Sequence, residues 1–240
     1  MRLRKEISES YGVLHAVHEC CMALGISSKA NNPTKDGVDL GKNRCLIDLC
    51  SGKAITAALC GALDEDESNN YFLAIDKMLP HTMPHFLNTN KIQYLCRDIM
   101  AKEMFAEMKD IVEYQTLQGR TCILVGMHLC GLLSERAIDF FDQIIGLRGL
   151  VLSPCCLPKK HEQRKISFTK GKPVDGEEKA ELYNYFRWSN YLKERASAVG
   201  GASDVRLYAD NEMHTEKNAI ILSTRVDGEV VGNGWQRGNN

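Results

Sequence analysis

No apolar run in the 240 residues approaches the roughly 18 needed for a membrane-crossing helix, so no transmembrane span is expected. Nor is a secretory leader expected, because the basic start Met1-Arg-Leu-Arg-Lys-Glu leads into a mixed polar helix pattern, not an apolar core. The chain reads as cytoplasmic or nuclear. Internal repeats and low-complexity tracts are lacking, which excludes solenoids and fibrous arrays. Net charge is nearly absent too: a formal −1 exerts no global pull on nucleic acid, so any polyanion site must be a local patch. GxGxxG and P-loop signatures are missing, which argues against NAD and ATP. No CxxC…CxxC pairing marks a zinc module.

Cysteine, by contrast, is abundant at ten residues, with adjacent pairs at Cys20-Cys21 and Cys155-Cys156. Cys45, Cys60, Cys96 and Cys122 sit inside apolar runs, where a free thiol behaves as a small hydrophobe. With no secretory context they read as reduced core thiols rather than a disulfide framework. The 44% hydrophobic content suits one large domain that needs no metal or disulfide staple.

Residues 4–24 carry Ile7, Tyr11, Leu14, Val17, Cys21 and Leu24 at helical spacing, and a polar loop runs from Gly25 to Asn43. From Arg44 a β–α rhythm begins. Strands are expected at Arg44–Cys50, Tyr71–Asp76, Lys91–Cys96, Thr121–Gly126 and Leu147–Ser153. Helices are expected at Ala54–Leu63, up to Leu87, at 100–117 and at Leu133–Ile145. Near-continuous apolar strands alternating with helices require a mostly parallel sheet covered on both faces, a Rossmann-like α/β fold. A helix over Glu177–Val199 and an antiparallel edge hairpin, Asp204–Ala209 with Asn218–Arg225, complete the expectation. The division is a helix and loop over 1–43, a domain over 44–226 and a disordered tail over 227–240.

In such sheets, ligands bind beyond the carboxyl ends of the strands. Asp48-Leu49-Cys50-Ser51-Gly52 lies there after the first strand, a small-residue turn opening a helix. Asp48 can hold an ammonium group, Asp76 can accept both hydroxyls of a ribose, and Asp98 can receive an adenine amine. Each carboxylate alone also reads as a solvated strand-end residue. Three in this order on successive strands point to an adenosine ligand without phosphates.

The fourth and fifth strands end in Gly126-Met-His-Leu-Cys-Gly131 and Ser153-Pro-Cys-Cys-Leu-Pro158. Both open toward the same crevice, where an acceptor would lie. His128 is a candidate general base or substrate-positioning group, and equally a histidine satisfied by a carbonyl. Cys130, Cys155 and Cys156 could converge with it as soft metal ligands, but their spacing is no zinc pattern, so no metal is assigned. Pro158–Lys172 sets Lys159, Lys160, His161, Arg164, Lys165, Lys170 and Lys172 against Glu162 alone, a stretch that could track a phosphate backbone or be a solvated loop. Tyr183, Tyr185, Phe186, Trp188 and Tyr191 form either a core face or a base-stacking surface.

DLCSG, AIDK at 74–77, RDI at 97–99, MHLCGLLSERAI at 127–138, LVLSPCCLP at 150–158 and EKNAIILS at 216–223 together resemble one family. It is the methyltransferase domain that follows a glutathione S-transferase-like region in some animal proteins. That domain lies within a wider group that includes the tRNA acceptor-stem 2′-O-methyltransferases, with their HLCG and paired-Cys motifs. The resemblance spans about residues 44–225. It implies the seven-stranded methyltransferase fold with S-adenosylmethionine as cofactor, and RNA, tRNA above all, as partner. Cofactor contacts then fall to Asp48, Leu49, Cys50, Ser51, Gly52, Asp76, Lys77, Asp98, Ile99 and His128. Catalytic roles fall to His128, Cys155 and Cys156, and substrate contacts to Lys159, Lys160, Arg164 and Lys165. The chain departs from the pattern at Ala54, where a third glycine is usual and a methyl would narrow the space beside the methionine moiety. It departs again at Leu157-Pro158-Lys159, where the tRNA enzymes carry further His and Cys. An acceptor on a protein or small molecule, or a non-catalytic binding module, are the other readings.

Overall fold

The computed structural model describes residues 2–26, 41–64, 69–78, 92–163 and 180–225, with the side chains of 2, 3 and 160 set aside. The expected helix up to Leu87, most of the loop before Asn43, and the tail lie outside the described residues. Seven strands form one sheet: β1 (Arg44–Leu49), β2 (Tyr71–Asp76), β3 (Ile92–Cys96), β4 (Thr121–Leu129), β5 (Leu147–Pro154), β6 (Asp204–Ala209) and β7 (Ala219–Thr224). Their order is β3-β2-β1-β4-β5-β7-β6. The first five run parallel, and β7 inserts antiparallel between β5 and β6. This is the expected Rossmann-like sheet with its antiparallel hairpin. The strand order reverses between β1 and β4, and the ends of those two strands flank the site.

The helices are α1 (Arg2–Ala23), α2 (Ile55–Leu63), α3 (Met104–Leu117), α4 (Leu132–Gln143), α5 (Lys160–Gln163) and α6 (Ala180–Ser197). Side chains alternate faces along a strand, so β1 sends Cys45, Ile47 and Leu49 to one core and Leu46 to the other. The first core is closed by Met104, Met108 and Val112 of α3, Phe140 and Phe141 of α4, and Trp188 and Leu192 of α6. The second is closed by Ala57 and Cys60 of α2 and, more extensively, by Val13, Leu14, Ala16, Val17, Cys20 and Cys21 of α1. Thus α1, read from the sequence as a segment ahead of the domain, is one of the two helices covering that face among the described residues. Gly149 of β5 makes room for it, since a Cβ there would lie 2.4 Å from the Cys20 sulfur.

The aromatic helix α6 faces the core through Tyr185 and Trp188, both fully buried, while Tyr183 and Phe186 are partly exposed. The Tyr185 hydroxyl donates to the Pro154 carbonyl (3.1 Å) and accepts from the Ala219 amide (2.9 Å), tying the end of β5 to the start of β7. All ten cysteines are free, and Cys20, Cys21, Cys45, Cys60 and Cys122 are buried as core thiols. Among the described residues, no helix is long and apolar enough to cross a membrane.

Candidate active site

At the carboxyl end of β1 the chain passes through Cys50, Gly52 and Ala54, all at positive φ (51°, 55° and 51°), before α2 begins. Gly52 has nothing within 4 Å of where a Cβ would stand, so the turn leaves a backbone cradle open. The cradle forms one wall of a cavity of about 510 Å³ lined by Asp48, Cys50, Ser51, Gly52, Lys53, Ile55, Thr56, Met78, Met127 and His128. That volume is of the size of small-molecule and cofactor sites. Lys5, Glu6 and Glu9 of α1 close its other side.

Ala54 corrects one expectation. Its methyl is fully buried in the second core, packed with α1 and α2, and does not line the cavity. The departure from glycine therefore costs left-handed backbone strain of about 1–2 kcal/mol and leaves the space for a ligand unchanged.

Asp48 is buried at the cavity wall with no ion-pair partner among the described residues. Burial pushes its carboxyl up to about 7; a backbone hydrogen bond from Ala57 opposes this and the nearby charge of Asp76 adds to it. A buried carboxylate on this wall, with no ion pair among the described residues even though Lys5 and Lys53 also line the cavity, fits a ligand that brings an ammonium group. Asp76 is also buried, and its two oxygens accept from the Gly52 amide (2.9 Å) and the Met78 amide (2.9 Å). It thereby holds the cradle against the end of β2. Asp98 caps its own turn by accepting from the Met100 amide (2.9 Å). The three carboxylates share a neighbourhood: burial pushes the Cys50 thiol up to about 12, and Asp76, Asp48 and Asp98 each add to it.

Other predicted residues are placed differently. Leu49 and Ile99 point into the first core, so only their backbones can meet a ligand. Lys77 and Asp98 are exposed and do not line the cavity. Lys159 is exposed, whereas the Lys160 side chain, Arg164 and Lys165 lie outside the described residues.

Strand β4 does not stop at Gly126 as expected but runs to Leu129. Its register against β5 shifts between Met127 and Leu129 and pairing resumes at Leu129 with Pro154. His128 is the residue at this bulge, with φ 61°, and such irregularities re-aim a side chain. Its Nε2 lies 3.0 Å from Glu9 Oε2, with Glu9 only 2% exposed and Lys5 a further 3.7 Å from the second oxygen. The sequence reading missed Glu9, although an acid on the inward stripe of an amphipathic helix is a signal of this kind. Beyond the bulge, Cys130 approaches Cys155 at 2.9 Å and Cys155 approaches Cys156 at 3.4 Å. The hydrogen bond from Cys155 brings the Cys130 thiol down to about 6, and the same pairing pushes Cys155 up.

Sequence comparison with curated proteins returns no match. Among solved structures, the CurJ carbon methyltransferase is 10% identical with a TM-score of 0.44, covering 78% of this chain and 49% of its own. This chain thus spans about half the length of that protein. A SAM-dependent methyltransferase from Aquifex aeolicus is 10% identical with a TM-score of 0.39, over 77% of this chain and 82% of its own. The plantazolicin methyltransferase BpumL, solved with SAH, is 10% identical at 0.40, over 91% and 83%. A family model described as a methyltransferase domain matches residues 13–163, well over half of the chain. The chain belongs to this family of methyltransferase domains.

Proposed function

We propose that this methyltransferase acts on RNA, with a ribose 2′-hydroxyl of tRNA as acceptor and His128 as the base that takes its proton. The observation that carries the reading is the pair of His128 and the buried Glu9 on the wall of the cofactor cavity, Nε2 to Oε2 at 3.0 Å. Bound in that cavity, S-adenosylmethionine supplies an electrophilic methyl on a cationic sulfur. The protein's tasks are then to hold donor and acceptor in line and to move one proton. A ribose hydroxyl is a weak acid, so a positioned imidazole accelerates the attack, and a carboxylate behind it fixes the ring and stabilises its protonated form. Asp48 anchors the cofactor's ammonium end, and Asp76 keeps Gly52 in place under it. The basic stretch opened by Lys159 and Lys160 and continued by Arg164 and Lys165 supports a phosphate-bearing acceptor. An RNA acceptor places the enzyme in the cytosol or nucleus.

The test is transfer of a tritiated methyl from labelled cofactor into fractionated RNA and protein. Label is expected in the tRNA fraction, with substrate affinity falling steeply as salt is added. His128→Ala should keep cofactor binding and lose on the order of 10²–10⁴-fold in turnover. Label in protein alone would shift the acceptor to a side chain. If His128→Ala loses cofactor while single-turnover chemistry is normal, the base assignment is wrong.

A further inference from the structure

Three thiols that the cofactor site does not use meet at the carboxyl ends of β4 and β5. The Cys130, Cys155 and Cys156 sulfurs all lie within 4.8 Å of one another. Local structure built for other reasons holds them there. The β4 bulge carries the chain past His128 to Cys130, and Gly131 then donates its amide to the Cys156 carbonyl at 3.2 Å. Gly131 sits at φ 55°, and a Cβ on it would lie 3.1 Å from the Pro158 Cα, so the approach of the two loops depends on its having no side chain. On the other loop, the Tyr185 hydroxyl fixes the Pro154 carbonyl immediately before Cys155.

We infer that Cys130, Cys155 and Cys156 form a tripod for a thiophilic divalent cation of the zinc class, with its fourth coordination position open to solvent. Thiolates bound tetrahedrally at about 2.3 Å from zinc stand roughly 3.8 Å apart, inside the spread seen here, so rotamer adjustments suffice to close the site. Cys130 and Cys156 are exposed and Cys155 is half-buried, which gives the ion an entry path. Three protein donors with one open position is the arrangement of zinc sites that keep an exchangeable ligand, rather than of closed structural ones. On binding, the three thiols release their protons and a water completes the tetrahedron. One net negative charge remains on the complex, and the Lys217 ammonium, paired with Glu181 but also felt by Cys155 and Cys156, offsets part of it.

The experiment uses the full chain, purified under reductant, stripped with a chelator and titrated with Co²⁺, then Zn²⁺. One equivalent of Co²⁺ should raise a thiolate-to-cobalt charge-transfer band, and Zn²⁺ should abolish it. Cys130→Ser, Cys155→Ser and Cys156→Ser should each lose the band, whereas Cys96→Ser should retain it. Should a serine variant fail to fold, alkylation of the parent protein decides: Zn²⁺ should protect these three cysteines together and no others. Absence of the band, a band unchanged in Cys130→Ser, or protection at other cysteines overturns the assignment. So does a Cys130–Cys155 disulfide that persists in the freshly reduced protein and excludes metal.

Discussion

Asp48 shows how one buried group ties folding stability to ligand binding. Its folded-state pKa of about 7 lies above the ordinary carboxylate value, so the folded protein binds a proton that the unfolded chain has released. The stability associated with Asp48 is therefore fully present below about pH 4 and lost as pH rises through about 7. Without cofactor, Asp48→Asn should be more stable than the parent at pH 8, on the order of a few kcal/mol. That gain should shrink toward pH 4, as measured by denaturant unfolding across pH. Cofactor affinity of the parent should move oppositely, rising with pH through about 7 as the carboxylate ionises to meet the ammonium; calorimetric titration checks this. Glu9 is the second case: on the proposed function it acts through His128 rather than on the substrate. Glu9→Gln preserves size but removes the charge behind the imidazole. Turnover should fall by less than in His128→Ala, with cofactor affinity changing little, which a split of kcat from cofactor Kd would register.

At the scale of elements, the site depends on how strand ends are tied. The ends of β5 and β7 are joined through a single phenol, with Tyr185 donating to Pro154 and accepting from Ala219. The Pro154 carbonyl and the Ala219 amide both sit at strand ends, and a phenylalanine at 185 would remove both of these bonds. Tyr185→Phe should destabilise by roughly 1–3 kcal/mol, a fall in melting temperature of the order of 5 °C for a chain of this size. Because Pro154 precedes Cys155, the same variant should also loosen the thiol cluster, seen as faster alkylation of Cys155. The β4 bulge is the other such device. It lets pairing with β5 continue to Leu129 while His128 is turned toward α1.

Over the whole molecule, the sheet separates two cores, and α1 supplies most of the cover for one of them. Leu14 is fully buried in that core. Leu14→Ala should cost about 2–5 kcal/mol and shift the one cooperative transition of the entire sheet. An unchanged main transition would mean that α1 folds apart from it. The same packing carries Lys5, Glu6 and Glu9 to the cavity, so this helix is both core and cavity wall.

What the sequence by itself determined was the class of fold and the order of its strands, though not the end of β4, which runs three residues past Gly126. Apolar runs of strand length between helical stretches admit few arrangements other than a parallel sheet. Asp48, Asp76 and Asp98 lie at one edge of the sheet because successive parallel strands end on one side, and of the three only Asp48 lines the cavity. Tertiary structure alone decided which partners those residues meet. The 119-residue separation of Glu9 from His128 leaves no local periodicity to connect them. Whether Ala54 faces ligand or core depends on the hand of a turn, and spacing does not encode that. The approach of Cys130 to Cys155 rests on a one-residue slip in β4, where a two-residue period turns every later side chain to the opposite face.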